Sequence, residues 1–388
     1  MEYPNSDTIR FNREIEKPIN DALFKGKVVI IYGARQVGKT TLVKKILDDH
    51  KDIGSIYINA DEGDYRAQLN NAETSSALRQ TVGDSPLIVI DEAQRIENIG
   101  LKLKLLVDTY PDQQIIATGS SSFELSSKIV EPLTGRAFEF WLYPVSVREL
   151  TQSFDRVTMS RILESQLVFG SYPGVLKTVS NKDKEFLVKE ISRNYLYKDI
   201  LRFDNLKSSE TVVKLLSALA LQIGNEVSYG ELGQLLGLNR RTVENYVELL
   251  EKAFIVFRLG PFSRNQRKEL GKLRKIYFYD AGVRNSLINN LNSLDLRDDV
   301  GKIWENFVVS EWKKSELSML DKKSLYFWRT YDKQEVDLVD ATGGGLKGFE
   351  IKWNAVKEKA PKAWLGLYPQ ASWSLVNNKN YLDYLVGS

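Results

Sequence analysis

The apolar positions in the first 150 residues form short runs, of which the first is rich in β-branched side chains. These runs cover residues 28–32, 55–59, 87–90, 114–118 and 138–142. Short apolar runs of this kind are typical of buried parallel strands. A helical pattern precedes the first run over residues 8–25, and another follows it from Thr41. The pattern predicts an α/β fold with a doubly wound parallel sheet.

Longer helical patterns dominate the middle of the chain. Residues 150–206 predict a helical lid above the sheet. Residues 227–250 then predict a helix-turn-helix, in which Ser228 caps the first helix, Gly237 ends it and Asn239 opens the second.

Two further apolar runs, at 254–259 and 275–279, supply strands for a wing, so residues 207–284 predict a winged-helix domain. In a DNA-binding role, four residues at the start of the second helix would meet the major groove or phosphates: Arg240, Arg241, Thr242 and Asn245. A basic stretch follows at Arg264, Arg267, Lys268, Lys272, Arg274 and Lys275. A packing module with a solvated loop would show the same pattern, and the acidic residues of the second helix would repel phosphate.

Near the end of the chain, two alternating strands around a glycine-rich stretch predict a β-hairpin. A two-residue turn at 343–344 would set its register. That register pairs Asp337 with Glu350 and Glu335 with Lys352, all on one face. The other face would hold the apolar residues Val336, Leu338, Phe349 and Ile351.

The first strand runs directly into a G-x-x-x-x-G-K-T sequence, and a helical pattern follows it. In this setting, backbone N–H groups can surround phosphate oxygens at a helix N-terminus. Lys39 would reach the β- and γ-phosphates, and Thr40 would hold Mg²⁺. The predicted nucleotide-binding residues are Gly33, Ala34, Arg35, Gln36, Val37, Gly38, Lys39, Thr40 and Thr41, joined by Asp91 and Ser120 from later strand ends.

Polar residues end or follow two later strands of the predicted sheet, and Arg136 precedes a third. Asp91 would complete the Mg²⁺ shell, and Glu92 would polarise the attacking water. Thr118 or Ser120 could sense the γ-phosphate or, equally, cap the next helix. Arg136 is the candidate arginine finger, with a structural salt bridge as its alternative.

Composition narrows the chemistry without naming a partner. A length of 388 residues predicts two or three domains. The 54 Lys and Arg residues nearly balance the 51 Asp and Glu residues, so any basic surface must be local. Cys is absent and His50 is the single histidine, so a bound metal must have oxygen ligands, which favours Mg²⁺ or Mn²⁺. No apolar stretch approaches the roughly 18 residues of a membrane span, and no signal peptide is evident. The expected compartment is the cytoplasm.

The order of the phosphate loop, the Asp91-Glu92 strand, the Thr-Gly-Ser-Ser strand and the Leu-Thr-Gly-Arg segment resembles AAA+ ATPases. More narrowly, the chain resembles prokaryotic AAA+ proteins that carry a C-terminal domain of uncharacterised function. This resemblance implies ATP, Mg²⁺ and a homo-oligomer. The expected domains are the ATPase core at 1–149, the lid at 150–206, the winged helix at 207–284 and a final domain at 285–388.

The hairpin, together with an upstream helical Glu305, resembles the PD-(D/E)xK restriction-endonuclease fold. The resemblance implies that Asp337, Glu350 and Glu305 hold a divalent metal, and that Lys352 assists catalysis. Two opposite carboxylates need a positive charge between them, which a metal would supply. The alternative is an amphipathic hairpin whose Lys352 simply pairs with Glu335.

Together these patterns predict an ATPase coupled through a winged helix to a nuclease-like domain that acts on nucleic acid, with DNA favoured over RNA. Metal-dependent cleavage is one expectation. The alternative is an ATP-gated scaffold or DNA-binding regulator whose nuclease-like domain is inactive.

Overall fold

Two β-sheets organise the chain. The computed structural model describes residues 10–119, 132–194, 209–263 and 274–387. One sheet has five strands and the other has seven. Within the described residues, no helix is long and apolar enough to cross a membrane.

The five-stranded sheet is entirely parallel. Its strands are Val28–Gly33 (β1), Ser55–Asn59 (β2), Leu87–Asp91 (β3), Gln114–Gly119 (β4) and Ala137–Leu142 (β5). Their order across the sheet is β2-β3-β4-β1-β5. Every residue of β1, β3 and β4 is buried, as expected where helices cover both faces. The predicted parallel α/β sheet is therefore confirmed.

Five helices belong to this first sheet. They are Glu16–Ala22 (α1), Lys39–Asp49 (α2), Gly63–Asn71 (α3), Ser75–Val82 (α4) and Ile99–Thr109 (α5). The helix predicted over 8–25 is shorter within the described residues. Because Pro18 lacks an N–H, it is tolerated in a first helical turn but not further in, and a start at Glu16 satisfies this limit.

The next segment is helical, as the sequence predicts. Its helices are Val147–Thr151 (α6), Arg156–Phe169 (α7), Pro173–Lys177 (α8) and Asn181–Asn194 (α9). The turn between α7 and α8 contacts the buried Asp280, whose Oδ2 accepts a 2.7 Å hydrogen bond from Ser171 N.

Three helices precede the two strands that the sequence assigns to a wing. Their bounds are Ser209–Leu221 (α10), Tyr229–Leu236 (α11) and Arg240–Lys252 (α12). The caps of the predicted helix-turn-helix are present. Ser228 Oγ accepts from Glu231 N at 3.3 Å, and Asn239 Oδ1 accepts from Thr242 N at 2.8 Å. Gly237 ends α11.

The second sheet joins two segments that the sequence assigns to different domains. Its strands are Glu226–Val227 (β6), Val256–Pro261 (β7), Arg274–Phe278 (β8), Leu325–Arg329 (β9), Glu335–Asp340 (β10), Lys347–Ile351 (β11) and Ser372–Val376 (β12). Their order is β12-β11-β10-β9-β7-β8-β6. Parallel pairing of Gly260 with Tyr326 and of Pro261 with Phe327 connects the two segments. The sheet therefore continues across the predicted boundary at 284.

The remaining helices are Ala281–Leu287 (α13), Val300–Lys314 (α14), Lys362–Leu367 (α15) and Tyr381–Leu385 (α16). Helix α14 packs against β8 and β11, and its side chains Trp304 and Val308 are fully buried. This position places Glu305 of α14 beside the second sheet.

The predicted hairpin register is confirmed where β10 and β11 pair, from Leu338 with Phe349 to Asp340 with Lys347. The predicted two-residue turn is wrong. A longer connection spans residues 341–346 and contains a short 3₁₀ turn, in which Thr342 N donates to Asp340 Oδ1 at 2.9 Å. This side-chain bond stabilises a wider loop without shifting the register.

A β-bulge in β10 changes which residues share a face. Against β9, Val336 pairs with Trp328 and Val339 pairs with Tyr326, so β10 carries one extra residue between these pairs. Val336 and Val339 consequently pack in a small cluster with Trp364, while Leu338 lies in the main core. The predicted grouping of Val336 with Leu338 is therefore wrong.

Candidate nucleotide site and carboxylate–lysine cluster

The phosphate loop lies between β1 and α2, at the carboxyl end of β1, and two of its glycines are required by geometry. A Cβ on Gly33 would lie 2.3 Å from the Leu142 carbonyl oxygen on the neighbouring strand β5. Gly38 has φ of 101°, a backbone conformation that side-chain-bearing residues rarely adopt. These two positions let the loop turn tightly into α2.

Lys39 points back into this loop. Its Nζ donates 2.8 Å hydrogen bonds to the carbonyl oxygens of Gly33 and Ala34, and the residue is 5% exposed. The ammonium is therefore held at the centre of the predicted phosphate site. A phosphate group there would offer it charged oxygens in place of neutral carbonyls.

Three hydroxyl groups converge on the buried carboxylate of Asp91. Thr40 donates to Oδ2 at 2.7 Å and Tyr57 donates to the same oxygen at 2.6 Å, while Thr118 donates to Oδ1. Burial and hydrogen bonding to Asp91 raise the pKa of Tyr57, so this phenol remains a donor at neutral pH. The sequence predicts Asp91 and Thr40 together, but it gives no signal for Tyr57.

The predicted Mg²⁺ ligands fit a hard cation. Thr40 and Asp91 supply hydroxyl and carboxylate oxygens, which Mg²⁺ prefers, beside the loop that would hold the phosphates. Bound there, Mg²⁺ would neutralise charge on the phosphate oxygens.

Glu92 is held at the end of β3 in an unusual conformation. Its φ of 55° lies in the left-handed region, and Gln94 Nε2 donates to its Oε2 at 2.5 Å. The backbone N–H of Glu92 donates to Thr118 Oγ1 at 3.2 Å. Thr118 therefore bridges Asp91 and Glu92. Ser120, the other candidate sensor, lies outside the described residues.

Arg136 lies at the amino-terminal end of the parallel strands, whereas the phosphate loop lies at their carboxyl-terminal end. It precedes β5, and its carbonyl accepts from Val28 N at the start of β1. The six paired residues of β1 and β5 span about 17 Å between this end of the strands and the phosphate loop. Its guanidinium forms an exposed 2.7 Å salt bridge with Asp108. Arg136 cannot serve the nucleotide site of its own chain.

Arg13 contacts the phosphate loop from outside the predicted motif. Its Nη1 donates to the Val37 carbonyl at 2.7 Å, and its Nη2 donates to the Tyr143 carbonyl at 2.6 Å. Its Nε forms a 2.9 Å salt bridge with Glu149. The sequence suggests only a helix at this position, so pattern alone could not have identified the contact.

In the second sheet, Lys352 lies between the two predicted carboxylates. Its Nζ is 2.7 Å from Glu350 Oε1 and 3.2 Å from Asp337 Oδ2. Asp337 is buried and also accepts from Ile351 N at 2.8 Å. The prediction that Asp337, Glu350 and Lys352 come together is consistent with this geometry, whereas the alternative pairing of Lys352 with Glu335 is not what the side chains adopt.

These contacts shift the protonation of the cluster. Burial and the neighbouring Asp337 carboxylate raise the pKa of Glu350 to about 7. Burial disfavours the charged form of Lys352, but Asp337 and Glu350 outweigh it and raise the pKa of the ammonium. Glu350 can therefore gain or lose a proton near neutral pH while Lys352 stays charged.

Glu305 has a different immediate partner, the buried Lys275. Lys275 Nζ lies 3.0 Å from Glu305 and 2.5 Å from Glu335, and Tyr277 donates to Glu305 at 2.6 Å. Burial and the nearby Asp337 raise the pKa of Glu305. The sequence predicts Lys275 both as the start of the strand 275–279 and as part of a basic surface stretch. In the structure it is a buried strand residue whose charge both carboxylates compensate. Arg264, Arg267, Lys268 and Lys272 of that stretch lie outside the described residues.

The two lysines supply the positive charge that the sequence attributed to a metal. Among residues 10–119, 132–194, 209–263 and 274–387, no group of three or more His, Asp or Glu side chains is arranged to hold a metal ion. In this side-chain arrangement Glu305 pairs with Lys275, and Asp337 and Glu350 pair with Lys352.

The parallel sheet, the phosphate loop and the Asp91–Glu92 pair define a P-loop ATPase domain. Residues 25–151 match the family model of an AAA domain. The fold is similar to that of the Walker-type ATPase PABY2304 of Pyrococcus abyssi, with a TM-score of 0.50 and 17% identity over 72% of this chain and 96% of that one. The match and the fold support a P-loop, AAA-like ATPase domain at residues 25–151, and this class of domain implies ATP and usually Mg²⁺.

Two other parts of the chain match models of domains of unknown function, DUF8612 over residues 160–294 and DUF4143 over residues 300–384. Similar proteins occur in bacteria and archaea. An uncharacterized protein of Mycobacterium tuberculosis is 29% identical over 88% of this chain and 73% of its own length. One from Methanocaldococcus jannaschii is 24% identical over 83% of this chain and 74% of its own.

Proposed function

We propose that this ATPase uses ATP to control a nuclease-like site in its second sheet and that this site acts on nucleic acid, with DNA favoured over RNA. The observation that carries the proposal is the position of Lys352 between Asp337 and Glu350. A buried aspartate, a glutamate that titrates near pH 7 and a fixed ammonium can together move a proton and stabilise a phosphate oxyanion.

The winged-helix segment offers a surface for the same substrate. Arg240, Arg241 and Asn245 are exposed on the first two turns of α12. Side chains at the start of a second helix in this motif commonly contact phosphates or base edges. The positive charge of the two arginines and the exposure of all three side chains support a nucleic-acid partner.

Cleavage assays with single- and double-stranded DNA and RNA test the proposal. Each substrate is incubated with and without ATP, and with Mg²⁺ or Mn²⁺, since the sequence predicts a metal bound by Glu305, Asp337 and Glu350. The active-site variants are Asp337→Asn and Lys352→Met. Asp332→Asn, an exposed aspartate just before the same hairpin, is the matched control. Cleavage lost in both variants and kept in the control is the expected result.

A second function is favoured by one specific observation. Each of the four nearby carboxylates already contacts an ammonium group, since Lys275 pairs with Glu305 and Glu335 and Lys352 pairs with Asp337 and Glu350. An ATP-gated scaffold or DNA-binding regulator would need no more than this. Nucleic-acid binding without cleavage under any metal condition, with ATP hydrolysis intact, would establish this second function and overturn the first.

The same proposal includes a homo-oligomer in which Arg136 acts on a neighbouring copy. This role is supported by the exposed guanidinium of Arg136 at the amino-terminal end of the strands, where a second chain could approach it. Mixing Arg136→Ala with Lys39→Ala subunits should restore part of the ATPase activity that each lacks alone. Absence of any restoration in verified mixed oligomers would remove Arg136 from catalysis.

A further inference from the structure

Arg13 lies just before α1 and donates hydrogen bonds to three separate parts of the ATPase domain. Its partners are the carbonyls of Val37 and Tyr143 and the carboxylate of Glu149, at 2.7, 2.6 and 2.9 Å. The side chains of Arg13 and Glu149 are 9% and 5% exposed. Such a buried guanidinium loses rotational freedom, so it holds its partners in fixed relative positions.

The bond to Val37 bears directly on phosphate binding. In a trans peptide the carbonyl of one residue and the N–H of the next point in opposite directions. By holding the Val37 carbonyl, Arg13 fixes the direction of the Gly38 N–H on the other side of the same peptide. In a phosphate loop these N–H groups are the ligands of the phosphate oxygens.

The bond to Glu149 leads away from the nucleotide toward the second sheet. Glu149 belongs to α6 and closes its first turn by a capping box with Ser146. The next backbone N–H, that of Val147, donates at 2.6 Å to Glu311 of α14, which also pairs with Lys314. The side chains of Glu311 and Lys314 are both 2% exposed. Helix α14 also carries Glu305, six residues before Glu311.

These contacts form a continuous buried chain of hydrogen bonds from the phosphate loop to α14. Helix α14 lies beside the carboxylate–lysine cluster of Asp337, Glu350 and Lys352. In a low-dielectric interior, charge-assisted hydrogen bonds are strong and poorly screened. A change in the phosphate loop on nucleotide binding would therefore change the forces on α6 and on α14.

We propose that Arg13 is a positioning residue for the phosphate loop and that, through Glu149 and α6, it couples nucleotide binding to α14. The proposal rests on the ATPase class and not on cleavage by the second sheet. It gives the coupling a route through α6, whereas the sequence suggested one through the winged helix. The AAA-domain match begins at residue 25 and leaves Arg13 outside it.

Nucleotide binding and hydrolysis by Arg13→Gln and Arg13→Lys test the positioning role. Arg13→Gln should bind a non-hydrolysable ATP analogue at least tenfold more weakly, and Arg13→Lys should recover part of that loss by keeping the charge. Arg156→Gln is the matched control, because Arg156 also bridges toward the C-terminal helices, at Asp383, but through an exposed 2.6 Å pair. Analogue affinity within twofold of wild type in Arg13→Gln would overturn the proposal.

Hydrogen exchange at saturating analogue tests the coupling. In wild type and Arg156→Gln, nucleotide should alter exchange in residues 147–151 and 300–314. In Arg13→Gln, equally saturated, the changes at 300–314 should disappear, and their persistence would overturn the coupling.

A remote variant keeps the test valid if Arg13→Gln fails to fold. Glu311→Gln retains one oxygen acceptor for Val147 N and replaces the carboxylate that pairs with Lys314 by a neutral amide. Its affinity for the analogue should fall about threefold while its melting temperature shows that it is folded. Unchanged affinity in this folded variant would contradict the coupling.

Discussion

The hydroxyl of Tyr57 donates a 2.6 Å hydrogen bond to Oδ2 of Asp91. This oxygen also accepts from Thr40, the predicted Mg²⁺ ligand at the start of α2. Strand β2 thereby contributes to a nucleotide site that otherwise depends on β1, β3 and β4. The contact makes the orientation of Asp91 depend on a tyrosine that lies in no recognised motif.

Replacing Tyr57 with phenylalanine should therefore weaken catalysis without abolishing it. Asp91 keeps two of its three hydroxyl donors, so we expect a reduction in kcat/KM of about tenfold, corresponding to about 1.4 kcal/mol. Steady-state ATPase assays at several Mg²⁺ concentrations measure this effect. Tyr65→Phe, which alters a half-buried tyrosine of α3, is the control, and equal activities in the two variants would exclude a role for the Tyr57 hydroxyl.

Glu92 and Gln94 should separate hydrolysis from binding. Glu92→Gln should bind ATP normally and lower kcat by 10²-fold or more, because a neutral amide cannot polarise the attacking water as a carboxylate does. Gln94→Leu should lower kcat less, since it removes a donor that orients Glu92 and leaves the Glu92 carboxylate in place. Lys39→Ala should instead lose most nucleotide binding. Undiminished turnover in Glu92→Gln would show that another group activates the water.

Removal of Lys275 should cost far more stability than removal of a surface lysine. Lys275→Met leaves Glu305 and Glu335 without their buried counter-ion, which should lower the free energy of unfolding by about 3–5 kcal/mol. Lys214→Met, which removes an exposed i,i+4 pair with Glu210, should leave the free energy of unfolding nearly unchanged. Urea unfolding measures both. Equal effects would mean that water already screens the Lys275 cluster.

The raised pKa of Glu350 predicts a pH-dependent stability difference. Its pKa increases from 4.5 to about 7, so the folded state binds this proton more tightly than the unfolded state. The stabilisation is complete below pH 4.5 and is lost as pH rises through 7. Glu350→Gln does not titrate there, so its unfolding free energy relative to wild type should rise by roughly 1–3 kcal/mol between pH 5 and pH 8. Glu248→Gln, at an exposed position of α12, should show no such trend.

The first sheet was predictable because its signals are local. Strands buried on both faces give continuous apolar runs, and the phosphate loop fixes both the element before it and the element after it. Asp91, Glu92 and Thr40 followed from their positions at strand and helix ends. Tyr57 and Arg13 did not, because their contacts join segments that are 34 and 24 residues apart and no periodicity marks them.

The second sheet was only partly predictable, for a different reason. The register of β10 and β11 followed from alternation, but the bulge before Val339 and the longer turn did not. The bulge gives β10 one more residue than β9 over this stretch, and it therefore moves Val336 to another face. The alternation of apolar residues does not mark where the extra residue lies. The burial of Lys275 also depends on partners at positions 305 and 335, which a basic sequence pattern does not reveal.

The pairing of β7 with β9 has a mechanical consequence. Strands on both sides of residue 284 share backbone hydrogen bonds, so the helix-turn-helix cannot swing independently of the C-terminal strands without breaking a sheet. A chain cut at this point would expose a bare strand edge, which favours aggregation. Any motion driven by ATP would have to move strands β6 to β12 together as one sheet.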